Sequence, residues 1–202
     1  MRFTKTLLAT AFLAALPMMA NAESQFSTAA GPSSVSAKLD FQVIVPRILY
    51  LRVGTGTNLA NNTNIDMITF TVPGANVGDS SAVAGTGGDL APGVTARVVA
   101  NAGVVTLSSN TPGALTTGTA GEVIPYTQIT TSTATLTSAT ALPAPALAAS
   151  GSTSVVLTAT NRVTNQDARW TFNYLNNNVV AAGTYGGTPA RNGEVTYTAA
   201  MP

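Results

Sequence analysis

The sequence has no cysteine and no histidine. Without cysteine there are no disulfides, so stability must come from packing, sheet pairing or association with other subunits. Without histidine there is no Ser-His-Asp or Cys-His nucleophile, and the two absences together remove the usual ligands of zinc, copper and haem. Charge is also scarce: Asp, Glu, Lys and Arg make up 8% of the chain, against about 25% in ordinary soluble domains. The acidic residues Glu23, Asp40, Asp66, Asp79, Asp89, Glu122, Asp167 and Glu194 are scattered, with no spaced pair for glycoside hydrolysis and no Asp ladder for calcium. The stretch GTGGD, Gly85 to Asp89, is not followed by the Lys-Ser/Thr of a phosphate loop and reads as a surface loop. These absences point to a protein that is not an enzyme and has no cofactor or metal.

Long hydrophobic runs are missing as well. The apolar run Thr6 to Leu16, TLLATAFLAAL, falls short of the ~20 residues that span a bilayer. Arg2 and Lys5 flank it on one side, Pro17 breaks it, and Ala20-Asn21-Ala22 supplies a small-x-small cleavage pattern. This predicts a signal peptide over 1–22 and a single domain over 23–202. Setting aside Arg2 and Lys5 leaves seven basic residues against eight acidic ones, so the apparent pI of 8.1 belongs to the leader. Lys38 is then the only lysine, and no basic patch remains for nucleic acid. The expectation is export to the periplasm, the cell surface or an extracellular fibre, with no transmembrane helix after cleavage.

What the sequence does contain is apolar residues, at 45%, set among Thr, Ser, Gly and Asn. That much apolar content argues against disorder, and Thr and Val favour pleated surfaces. Residues 23–34 read as a leader-like extension. From Ser34 to Pro46 the sequence SVSAKLDFQVIVP places Val35, Ala37, Leu39, Phe41, Val43 and Val45 at every second position, the pattern of a strand with one dry face. Pro46 interrupts before a second extended run over 47–53. Further strands are expected over 65–72, over 94–101 and 104–110 as a hairpin around Asn101-Ala102-Gly103, over 122–129, over 154–163 and over 168–176. The simple stretch 130–154 reads as a long loop with one weak strand near Leu136. Trp170, Phe172 and Tyr174 share one face and read as core aromatics. Arg47, Arg52, Arg97, Arg162 and Arg169 read as solvated flanks that discourage edge pairing. About eight short strands with Gly/Pro turns predict an all-β, antiparallel sandwich.

The two ends carry the functional expectation. Val195, Tyr197, Ala199 and Met201 alternate through a terminal strand, so strand-forming material lies at both ends. An alternating segment of this kind pairs with an open sheet edge of a neighbour and fills its groove with every second side chain. The signal peptide, the early strand VSAKLDFQVIVP and the Ala182-Gly183-Thr184-Tyr185 turn ahead of VTYTAAMP resemble subunits of chaperone–usher fimbriae, in particular the archaic group with spore-coat-protein-U-like domains. The resemblance implies an immunoglobulin-like sandwich short of one strand, a periplasmic chaperone, an outer-membrane usher and polymerisation with other copies by strand donation. In that reading Val35 to Val45 is the donor or first strand, and Val195 to Met201 is the terminal strand. The alternative is a self-complete secreted adhesin or carbohydrate-binding sandwich, in which the first strand closes its own sheet.

Overall fold

A computed structural model describes residues 23–202. The expected signal peptide, 1–22, lies outside the described residues. Two units are distinguished, with the boundary between Val45 and Pro46.

In the first unit, residues 23–45 form no strand or helix and are exposed throughout. The strand expected over 34–46 is therefore not formed. Phe41 and Val43 are 87% and 85% exposed. Alternation specifies which side chains share a face, but a strand also needs a neighbour for its backbone groups.

The second unit, 46–202, is an antiparallel all-β sandwich. Its strands are β1 (Leu49–Val53), β2 (Ile68–Thr69), β3 (Val83–Ala84), β4 (Thr86–Gly87), β5 (Val94–Ala100), β6 (Val105–Thr111), β7 (Leu115–Thr116), β8 (Val123–Ile124), β9 (Ile129–Ala134), β10 (Gly151–Leu157), β11 (Thr164–Tyr174) and β12 (Thr196–Ala200). One sheet runs β1-β5-β11, and β11 then carries β3 beyond β5 on one edge and β9 on the other. The second sheet is β10-β6-β12. The pairs β2-β4 and β7-β8 are small separate ribbons.

Period-two burial explains how the two sheets share a core. Val94, Ala96, Val98 and Ala100 of β5 point inward, as do Val105 and Leu107 of β6, and all are buried. Trp170 is fully buried beneath them, and its indole Nε1 donates to the carbonyl of Leu142 at 2.9 Å. Phe172 packs against this cluster and Tyr174 is buried, so the three aromatics of β11 do line the interior. Gly93 sits at φ +136° with its α-carbon so close under the Trp170 carbonyl that a Cβ would collide with it, so only glycine fits there.

Two sequence expectations are corrected. Strands β5 and β6 do not pair as a hairpin. Each belongs to a different sheet, and the turn between them crosses the sandwich. Alternation looks the same in both arrangements, because in both the two strands bury one face in a common core. Nor are two of the five arginines, Arg52 and Arg97, solvated flanks, whereas Arg47 and Arg162 are exposed. Arg52 and Arg97 are cross-strand partners, and Arg97 in turn faces Asp167 on β11. The two adjacent guanidinium groups are each matched by a carboxylate: Arg52 with Asp89 at 2.8 Å and Arg97 with Asp167 at 3.2 Å.

Candidate binding groove

Among the described residues strand β1 pairs only with β5, and β12 only with β6, so each keeps one backbone edge without a strand partner there. These edges border the same side of the sandwich. At one end, Arg47 Nη2 reaches the carbonyl of Met201 at 3.5 Å, which sets the start of β1 beside the end of β12. Towards the other ends of the two strands the sheets part, and a groove of about 700 Å³ opens between Leu51 and Val53 on one wall and Val195 and Tyr197 on the other.

The groove floor is apolar. Val94 and Phe172 come from the large sheet, and Ile68 and Phe70 from the chain around β2. Ile65 and Met67 stand at the rim, 76% and 61% exposed. Among the described residues the charged ones in the lining are Asp66 and Glu194. The reason these residues gather there lies in Asp66. Its carboxylate accepts hydrogen bonds from the Thr55 amide at 2.8 Å, the Thr55 hydroxyl at 2.7 Å and the Asp89 amide at 3.1 Å. These bonds tie the 55–66 loop to the GTGGD turn and bring Ile65 to Phe70 over the open side. The strand expected over 65–72 shrinks to the two residues of β2, because the rest of that segment serves as groove wall.

Two phenols sit at the groove and both stay neutral. Burial pushes the Tyr126 hydroxyl up to about 12, assisted by the nearby negative charge of Glu194. It donates to the Asn192 carbonyl at 2.7 Å. Burial also raises the Tyr197 hydroxyl, with Tyr126 adding to the effect. The Tyr197 ring packs on Trp170 with centroids 5.3 Å apart. A tilted aromatic contact of that kind holds β12 onto the core.

No family model, curated protein or solved structure matches the chain. The assignment of this groove therefore rests on its own geometry.

The residues singled out in the sequence fall into two groups. Tyr197, Ala199 and Met201 pack against the core from β12 and the residue after it, and Val195 lines the groove. Val35, Ala37, Leu39, Phe41, Val43 and Val45 lie in the first unit, in no sheet. Sequence reasoning missed the groove floor. Ile68, Phe70, Val94 and Phe172 were legible as apolar strand residues, but nothing local marks a strand as facing a vacancy. Among the described residues no three acidic side chains cluster as a metal site, and no helix is long and apolar enough to cross a membrane.

Proposed function

We propose that the protein is a secreted structural subunit of a surface fibre, assembled by β-strand donation between copies. Residues 35–45 of one molecule enter the groove between β1 and β12 of the next and complete an immunoglobulin-like sandwich that lacks one strand. The supporting observation is the groove itself: two unpaired strand edges flank an apolar trough of about 700 Å³. A strand laid there finds backbone partners on its edges and an apolar floor for every second side chain. The exposed alternating segment has the matching chemistry, with Val35, Ala37, Leu39, Phe41, Val43 and Val45 on one face and Ser36, Lys38, Asp40 and Gln42 on the other, where Ile44 is the one apolar exception.

The same observations favour this reading over a self-complete adhesin, whose first strand would lie in its own sheet. The resemblance to archaic chaperone–usher subunits fits as well, and with it a periplasmic chaperone that caps the groove before assembly and an usher that passes subunits outward. The test is gel filtration and negative-stain microscopy of the purified protein beside a Phe41→Asp/Val43→Asp variant. Wild-type protein should form oligomers or filaments, and the variant should not, because two carboxylates cannot enter an apolar groove unpaired. A wild type that stays monomeric at every concentration, or a variant that assembles equally well, would overturn the proposal.

A further inference from the structure

Sheet β10-β6-β12 has two outer edges. The β12 edge borders the groove, and the β10 edge lies at the far side of the sheet. We infer that the β10 edge is a second contact surface. Its partner is the β10 edge of another copy, laid antiparallel about a two-fold axis to give one sheet of six strands. This goes beyond the strand-donation reading and does not depend on it.

An unpaired strand edge invites another strand. Proteins guard such edges by keeping them short, by placing charge or proline on them, by a bulge, or by covering them. None of these protects β10. It has seven residues, longer than the usual five or six. From Val123 to Asn161 the sequence holds no charged residue, and from Gly151 to Asn161 no proline. The ladder with β6 runs unbroken from Gly151 opposite Thr111 to Leu157 opposite Val105, without a bulge. Among the described residues no strand other than β6 pairs with β10, and no loop gives it a backbone hydrogen bond. The edge is also held firm. Thr153 donates its hydroxyl to the Ala146 carbonyl, and Leu157 is buried.

The chemistry of the edge selects its occupant. A charged strand would lose hydration beside it and find no counter-charge. A neutral strand of hydroxyl and β-branched residues fits, and β10 is itself such a strand. The other neutral edge, β9, has only threonine and serine where β10 has Val155 and Val156. Two copies centred on Ser154 match all seven residues: Ser154 faces Ser154, Thr153 faces Val155, Ser152 faces Val156 and Gly151 faces Leu157. Val156, 66% exposed in the single molecule, gains a neighbour across the seam. Strands β6 and β12 behind it are uncharged as well, so the joined sheets bring no like charges together. A two-fold contact closes at two copies, so it yields dimers and not filaments. A seam this small belongs to the transient class, with a dissociation constant between about 1 μM and 1 mM, and comes apart in the dilution of a gel-filtration column.

The experiment uses the full chain carrying Phe41→Asp/Val43→Asp, in which the groove reading removes assembly by donation. The sequence has no cysteine, so an introduced thiol is unique. At about 1 mM protein and under mild oxidation, Ser154→Cys should form a covalent dimer. Opposed residues of an antiparallel ladder have Cα atoms about 4.5–5.5 Å apart, within disulfide reach. Ser152→Cys alone should not, because its counterpart lies about 13 Å along the ladder. Mixed with Val156→Cys, it should. In sedimentation equilibrium Ser154→Lys and Ser154→Glu should each weaken pairing about tenfold, and their equimolar mixture should restore it. All three positions are exposed, and circular dichroism checks that the variants are folded. Equal cross-linking by Ser154→Cys and Ser152→Cys would overturn the inference, as would unchanged sedimentation of Ser154→Lys or a mixture that stays apart. Filaments formed by the Phe41→Asp/Val43→Asp chain would overturn the groove reading instead, and the cross-linking pattern would still decide this one.

Discussion

Asp167 is the most heavily hydrogen-bonded carboxylate of the sandwich. It lies mid-strand in β11, buried, and faces Arg97. Its oxygens accept from the Thr137 hydroxyl, from the amides of Thr137 and Ser138 at 2.9 Å each, and from the Ser138 hydroxyl at 3.0 Å. Burial alone would favour the neutral acid, but these donors outweigh it and hold the pKa at about 2. A folded-state pKa below the unfolded value of about 3.9 means that the stabilisation is complete above pH ~4 and is lost as pH falls toward 2. Asp167→Asn should therefore destabilise the protein by on the order of 1–2 kcal/mol at neutral pH. It should also flatten the fall in stability between pH 4 and 2. Urea denaturation of both proteins across that range measures both effects, and parallel curves would contradict the account. Nothing local marks this role, since Thr137 and Ser138 lie about thirty residues away, in a stretch of simple composition.

That stretch is the least legible element. It reads as loop from 130 to 154 with one weak strand near Leu136, yet it opens with five of the six residues of β9 and ends in β10. Between them the chain crosses from one sheet to the other and buries Leu142, Pro145 and Leu147. Leu142 is held from two sides: its N–H donates to the Asp167 carbonyl at 3.1 Å, and its carbonyl accepts from Trp170. The hydroxyls of Ser109 and Thr111 on β6 bond the carbonyls of Ala146 and Ala148 at 2.9 and 3.0 Å. The crossing thus seals one flank of the sandwich with a loop instead of a strand. Leu142→Ala should cost about 2–5 kcal/mol, the range for emptying a well-packed leucine site. A similar substitution at exposed Leu136 should cost under about 0.5 kcal/mol. Thermal or urea unfolding of the two variants compares them directly.

The strands that could be read beforehand were those with clean alternation. Strands β5 and β6 bury every second residue and β12 alternates between exposed and half-buried positions, so their inward faces were visible in the sequence, whereas β11 breaks the alternation by burying both Asp167 and Ala168. Partner choice was not, because a β5–β6 hairpin and a crossing between sheets demand the same pattern. The groove was hidden for a related reason. Its floor is made of ordinary core residues, and its emptiness is a property of which edges meet, which no local stretch encodes. Residues 35–45 showed a dry face but no host, and in the described structure they have none within their own unit.

At the scale of the whole molecule, the scarcity of charge bears on how copies would meet. Residues 35–45, the proposed donor segment, carry Lys38 and Asp40, which cancel, and among the described residues the groove lining carries the charges of Asp66 and Glu194. Asp66 is already engaged by three donors. Electrostatic steering requires fields of opposite sign on the two surfaces, and the segment, whose two charges cancel, offers no positive field to the two carboxylates of the groove. Association should then depend on apolar burial and backbone pairing, with a modest, unsteered on-rate. Raising ionic strength from about 0.01 to 0.15 M shortens the screening length from about 30 to 8 Å, which would slow a steered encounter severalfold or more. Here the rate should change by less than about twofold over that range. Kosmotropic salts such as sulfate should instead accelerate assembly, because they strengthen apolar burial. Light-scattering kinetics in sodium chloride and in sodium sulfate at matched ionic strength separate the two effects. A steep fall in rate with sodium chloride would place the driving force in charge pairs that the groove and segment do not contain, and would point to a different surface of contact.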